Sequence, residues 1–189
     1  MKYSAGAEAI NAYRREIADI RQKMRATQAE IEPQEVTDYE FQSTQGPVEL
    51  SDLFGRHPDL IVVHNMGSSC PNCTLWADGY NGLHQHVVTR TGFVVSSPDA
   101  PATQQKFAAS RGWKFPMVSH TGTTFAEDMG YRSPRGWLPG VSVFRRDASR
   151  ILRVSDAAWS PGDDFCTLWH FFDLLPGGAA GWKAKFSYP

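Results

Sequence analysis

Two short runs in this 189-residue chain, DLIVVHNM at 59–66 and GFVVSSP at 92–98, are apolar without the alternation of a half-exposed strand. An unbroken run rich in β-branched residues marks a strand covered on both faces, at the centre of a sheet. A helical pattern follows each. CPNCTLWADGYNGLHQHVVTR sets Cys73, Trp76, Ala77 and Tyr80 at helical spacing, and PATQQKFAASRGW has Pro101 at its first position and Gly112 at its end. Gly79 and Gly82 predict a kink or break in the first of these helices. Strand, helix, strand, helix requires crossover connections, so the early strands are expected to run parallel.

The remaining patterns add smaller elements to that frame. DYEFQSTQGPVELSDLFG predicts extended pieces at 39–43 and 48–50 around a turn at Gly46-Pro47, then one helical turn closed by Gly55. KFPMVS predicts a short strand, TFAEDMGY a helical turn, and GVSVFRRDASRILRVS a hairpin turning at 147–150. The last helix, GDDFCTLWHFFDLLPGG, is expected to begin at an Asp and to stop at Pro176-Gly177. The chain therefore divides into an amphipathic helix at 1–33, an α/β domain at 34–176 and an irregular Gly- and Ala-rich tail at 177–189.

The N-terminal helix carries Ile10, Tyr13, Ile17, Ile20, Met24 and Ile31 at intervals of three and four, separated by Arg, Glu, Asp and Lys. Two readings are open for this stripe: it packs on its own subunit, or it joins two copies in a homodimer, since the spacing also fits about three heptads.

Composition limits the function classes. A hydrophobic content of 41%, a charged content of 21% and a formal net charge of −1 give no pull toward nucleic acid or anionic lipid. No window approaches the roughly 20 apolar residues of a membrane span, and no signal-peptide core opens the chain. The expected location is cytoplasmic. Three cysteines form no disulfide framework, and in a reducing compartment a close pair points to redox chemistry or metal binding.

That pair is Cys70 and Cys73, in the motif CPNC where the first buried strand hands over to a helix. A sulfur at a helix N-terminus lies among unpaired N–H groups at the positive end of the helix dipole, which favours thiolate over thiol. Such cysteines titrate at roughly 3.5 to 7.5, against about 8.5 for a free one. Cys70 is the expected nucleophile. Cys73, one turn on and less exposed, is placed to resolve a mixed disulfide.

With the strand, CPNC on the next helix, a second strand and helix, and a Pro leading into a hairpin and a closing helix, the chain resembles the thioredoxin superfamily. VELSDLFG and the extra WKFPMVS strand are similar to its peroxiredoxin-like and membrane-anchored thiol-reductase branches. Over nearly the full length, with LFG, CPNCTLWAD, RGWKFPMVS, LPGVSVFRRD and FFDLLPGG in order, it is most similar to a bacterial thioredoxin-like group, domain-of-unknown-function family 899. The resemblance implies a three-layer fold with a mixed central sheet, a peroxiredoxin-like inserted strand and the N-terminal helical extension. It implies a thiol-disulfide oxidoreductase without a prosthetic group, exchanging with a protein or small-molecule disulfide or thiol and with a cellular thiol reductant. By the same resemblance Pro139 is a cis-proline facing the redox pair, and Leu138 offers backbone groups to an extended substrate. His64, six residues before Cys70, stands where thioredoxins keep a buried acid, and is the candidate proton relay; a plain strand-end histidine is the competing reading. Trp76 and Trp137 are expected to give the active-site surface an apolar rim.

Three rivals use the same residues. A peroxiredoxin-like thiol peroxidase needs a Thr three residues before the attacking Cys and a Pro four before that, and those places hold Gly67 and Val63. A zinc site could recruit Cys70, Cys73, His84 and His86, but only if the helix breaks at Gly82, because residues two apart on a helix diverge. The third is a binding module whose cysteines are not catalytic. Cys166, with Leu168, Trp169 and Phe172 around it, reads as a small buried hydrophobe or as a second resolving thiol.

Overall fold

A computed structural model describes all residues, Met1–Pro189, as two compact units, Met1–Pro33 and Gln34–Pro189. The first is a single helix, α1 (Tyr3–Glu30), starting seven residues before Ile10, the first residue of the stripe, and leaving helical geometry at Ile31, two residues before Pro33. None of its residues is buried. No helix of the chain is long and apolar enough to cross a membrane.

The second unit is built on an eight-stranded mixed sheet. In chain order its strands are β1 (Gln34–Val36), β2 (Glu40–Ser43), β3 (Gly46–Glu49), β4 (Asp59–His64), β5 (Gly92–Ser97) and β6 (Met117–Ser119). A separate two-stranded hairpin follows, β7 (Arg132–Ser133) with β8 (Gly136–Trp137), before the long pair β9 (Gly140–Asp147) and β10 (Arg150–Ala158) rejoins the main sheet. The order across the sheet is β1-β10-β9-β4-β5-β6-β2-β3. β4, β5 and β6 run parallel, as their crossovers demand, and antiparallel pairs flank them on both sides. The helices are α2 (Pro71–Val87), α3 (Pro101–Arg111), α4 (Phe125–Asp128) and α5 (Thr167–Phe172). This is a thioredoxin-like α/β fold, with β6 as the inserted strand.

The two apolar runs are the central strands β4 and β5 because the sheet has a core on each face. Leu60, Val62 and Val94 pack with Phe41, Leu50, Phe54, Phe125, Tyr131 and Phe144 on one side. Val63, Phe93 and Val95 pack with Cys70, Cys73, Trp76, Ala77, Trp159 and Trp169 on the other. Each fully buried aliphatic side chain contributes about 1.5–3 kcal/mol, so no polar residue is tolerated at either parity without a partner. Gly140 permits the closest approach in this sheet: a Cβ there would lie 2.1 Å from the Tyr131 ring and 2.6 Å from the Ala157 carbonyl oxygen.

Several local expectations are corrected. α2 does not break at Gly79 or Gly82. Its buried residues Cys73, Thr74, Trp76 and Ala77 anchor it to the core, and the Asn81 side chain ties it to Gly112 O and Lys114 N. Such packing outweighs a glycine penalty of about 1 kcal/mol each. The first hairpin turns at Thr44-Gln45, two residues before Gly46-Pro47, and Ser43 Oγ accepts from Gln45 N while donating to Gly46 O. α5 is short and is capped at Cys166 rather than at an Asp. Asp163 is engaged elsewhere, accepting from Ser160 N, Phe165 N and Trp76 Nε1. Residues 177–189 contain no helix or strand, yet Trp182 packs edge-on against Trp169 and Phe172.

Candidate active site

The loop from Asn65 to Ser69 determines where Cys70 sits. Asn65 N–H donates to Ser96 O at 2.8 Å, continuing the parallel ladder one residue past β4, and its side-chain oxygen accepts from Gly67 N at 2.8 Å. Gly67 adopts φ +100°, and a Cβ on it would stand 3.1 Å from both Asp99 carboxylate oxygens. Only glycine fits that conformation against that neighbour. Asp99 in turn accepts from Ser68 N at 2.6 Å, and Cys70 N–H closes the loop onto Gly67 O at 3.1 Å.

Cys70 is thereby the N-cap of α2, in extended conformation, with Pro71 in the first turn. Its Sγ accepts from Cys73 N at 3.1 Å, as a capping serine oxygen would. Three donors lower its pKa to about 7: first the Cys73 thiol, then the backbone N–H groups of Cys73 and Asn72, with burial opposing them. Cys73 responds in the opposite sense. Its donation to Cys70, its burial and the adjacent negative charge push its pKa far up, against a long approach from Met66 N at 3.5 Å. The pair is thus polarised into a thiolate-disposed outer sulfur, 7% exposed, and a protonated inner one, 2% exposed. Both are free thiols here. Asn65 and Asp99 were not singled out from sequence, and Gly67 only as the residue in place of a peroxidase Thr; the glycine within NMGSSC, just before the Cys pair, was the available signal. Behind Cys73, the Tyr80 hydroxyl is buried beside the Asn65 amide without a well-formed hydrogen bond, which sequence reasoning also missed.

The other expected residues are distributed differently. The β4–β9 register pairs His64 with Gly140, so Pro139 and Leu138 extend from the sheet beside the 65–69 loop. Every peptide bond is trans, so Pro139 is not a cis-proline. Pro139 O accepts from Trp159 N at 3.0 Å, and Leu138 N–H is already committed to Tyr131 O at 2.9 Å, which holds this segment in the ordinary X–Pro isomer. Leu138 keeps 42% of its surface open. Trp137 is half-buried, under the Arg132 guanidinium at 3.9 Å and against the His120 ring at 4.7 Å.

Trp76 is no rim residue: it is 2% exposed and donates to Asp163 Oδ1 at 3.2 Å. His64 is also misplaced for a relay. It follows the parity of Leu60 and Val62, stacks on Tyr131 and Phe125, and shares a 2.8 Å hydrogen bond with Ser142 Oγ. Cys73 belongs to the core on the opposite sheet face. Burial, then the nearby His120 and Arg153 charges, pushes the His64 pKa well down, so it is neutral.

The zinc arrangement loses its premise because α2 is unbroken, and His84 packs against Phe93 and Phe115. No group of three or more His, Cys, Asp or Glu side chains converges on a point. Cys166 lies in the same core as the pair, its pKa raised by burial.

The family model described as bacterial protein of unknown function (DUF899) matches residues 5–186. Among solved structures, peroxidoxin BcpB from Mycobacterium tuberculosis is similar at 25% identity and TM-score 0.54, covering 67% of this chain and 84% of that one. Peroxiredoxin Q from Xanthomonas campestris is similar at 18% identity and TM-score 0.55, covering 64% and 80%. Reduced Prx3 from Vibrio vulnificus, in complex with hydrogen peroxide, shares 11% identity at TM-score 0.55, covering 70% and 90%. A search of curated proteins finds no match.

Proposed function

The chain belongs to the DUF899 family, and on that premise we propose that it is a thiol-disulfide oxidoreductase working through Cys70 and Cys73. The observation that carries this reading is the capping bond, Cys73 N–H to Cys70 Sγ at 3.1 Å, with the protonated Cys73 thiol donating to the same sulfur. A pKa of about 7 makes roughly half of Cys70 thiolate at neutral pH, near the optimum for an attacking thiol.

In the reductive direction, Cys70 thiolate attacks one sulfur of a substrate R–S–S–R′, forming a Cys70–S–S–R mixed disulfide and expelling R′–S⁻, which takes a proton from solvent. Cys73 then loses its proton and attacks Cys70 Sγ. The S–S bond between Cys70 and the R–S group breaks, and R–S⁻ is protonated as it leaves. The substrate gains two electrons, the pair becomes a disulfide, and a cellular thiol reductant restores it. The same steps in reverse oxidise a dithiol. Substrates are disulfides or thiols on proteins or small molecules, and exposed Leu138, two residues before the Gly140 that pairs with His64, is the apolar surface proposed for them.

The named neighbours include peroxiredoxins, but Gly67 and Val63 stand where a peroxidase holds its Thr and Pro, which favours disulfide exchange over peroxide reduction. Redox titration with thiol alkylation and peptide mass analysis tests the proposal. The expected product is a reversible Cys70–Cys73 disulfide. A pair that stays reduced at every potential, or a Cys70 that goes to sulfenic acid without recruiting Cys73, contradicts it.

A further inference from the structure

On the disulfide-exchange reading above, we infer that the Tyr80 hydroxyl, together with the Asn65 amide, stabilises Cys73 as a thiolate while it displaces substrate from Cys70. The need arises in the second step of the reaction. In the reduced protein the Cys73 thiol donates to Cys70, and its own sulfur accepts a long approach from Met66 N at 3.5 Å. Once Cys70 is bonded to a substrate sulfur it carries no charge and no longer draws that proton. Cys73 must then ionise at 2% exposure among Val63, Val95 and Trp159, where a charge without donors is strongly disfavoured.

Tyr80 supplies a donor. It stands seven residues after Cys73, two turns along the same stripe of α2, and helical side chains lean toward the N-terminus, so its ring projects back toward that sulfur. Phe93, Phe115 and Trp159 wall the ring, with centroids at 5.5, 5.0 and 6.2 Å. The hydroxyl is sealed from solvent and has no well-formed hydrogen bond in the reduced protein. Buried polar groups are normally paired, and a lone one calls for a role that offsets its cost. Asn65 and Cys73 both act on it. Asn65 commits its side-chain oxygen to Gly67 N, which leaves its amide N–H groups as donors to the Tyr80 oxygen. Burial, opposed by Asn65, and then the Cys73 charge push the Tyr80 pKa up, so the hydroxyl keeps its proton and serves as a donor, not as a base. The Cys73 proton goes to solvent.

Stopped-flow reaction of the reduced full chain, carrying Cys166→Ala, with equimolar DTNB reads the two steps separately. Cys70 attack on the reagent's S–S bond releases one thionitrobenzoate and leaves a mixed disulfide; Cys73 attack on Cys70 Sγ releases the second and forms the Cys70–Cys73 bond. Tyr80→Phe removes one oxygen and should leave the first release unchanged. It should raise the pH midpoint of the second by about one unit and slow it about threefold to tenfold at neutral pH. Cys70 and Asp78 are the other titratable groups acting on this pair, and Cys70 is uncharged in the mixed disulfide, so the midpoint reports Cys73. The urea midpoint should hold or rise, because an unpaired buried hydroxyl is gone. Tyr131→Phe, which deletes a hydroxyl bonded to Val141 O at 3.1 Å in the core of the other sheet face, should lower the urea midpoint and leave both releases unaltered. A second release unchanged in Tyr80→Phe overturns the proposal, as do equal slowing by Tyr131→Phe and slowing of both releases together with lost stability. A parent protein that releases one equivalent and never the second overturns the disulfide-exchange reading itself, and this role with it.

Discussion

Replacing Cys73 with Ala separates the two sources of Cys70 acidity. The pKa of Cys70 is lowered to about 7, and the largest lowering influence is the Cys73 thiol, ahead of the backbone N–H groups that the helix start supplies. Cys73→Ala deletes the thiol donor and leaves the backbone donors in place, so Cys70 should rise by one to two units. At neutral pH the thiolate fraction then falls from about half to between about 10% and 1%. Cys73→Ser retains a hydroxyl donor of similar reach and should leave Cys70 within about one unit of 7. The assay is the pH dependence of alkylation of the reduced protein, with Cys166 substituted if it reacts. Alanine should slow the reaction at pH 7 by about fivefold to fiftyfold and serine by clearly less. If Cys70 in the alanine variant still titrates near 7, the helix N-terminus alone sets its acidity, and the thiol-to-thiolate argument is wrong.

Further predictions follow from the sheet's other face and from its tight approaches. His120 is buried with its pKa lowered to about 4, by burial first and then by Arg132, so the unfolded chain binds a proton there below about pH 6.5 that the native state refuses. Its contribution to stability is complete above that pH and is lost as pH falls toward 4. Urea unfolding should show a loss of about 2 kcal/mol between pH 7 and pH 5 from this group, and His120→Asn should flatten that slope. His64→Ala should lower the melting temperature through lost stacking on Tyr131 and Phe125, yet leave the pH profile of disulfide exchange unchanged; a shifted profile would reinstate the relay. Gly140→Ala forces a Cβ into Tyr131 and a carbonyl and should cost about 3 kcal/mol or more, read by denaturant unfolding. Gly67→Ala should destabilise by about 1–3 kcal/mol and raise the pKa of Cys70 by shifting its loop.

By itself the sequence determined the elements whose signals are local. Unbroken apolar runs had to be central strands, Pro101 and Gly112 bounded α3, and a cysteine between a buried strand and a helix had to cap that helix, because backbone donors there are unpaired whatever surrounds them. What depended on contacts across the fold was decided only by the tertiary structure. Strand parity put His64 on the face away from the cysteines, and a six-residue spacing along the chain cannot encode a sheet face once a loop intervenes. Burial and the Asp163 bond removed Trp76 from the surface, packing kept α2 continuous through two glycines, and the trans Leu138-Pro139 segment is anchored by bonds to Tyr131 O and from Trp159 N. The polarisation of Cys70 and Cys73 belongs to both levels. Its donors come from helix geometry written in CPNC, but its asymmetry comes from one sulfur being sealed in the core while the other keeps a sliver of surface.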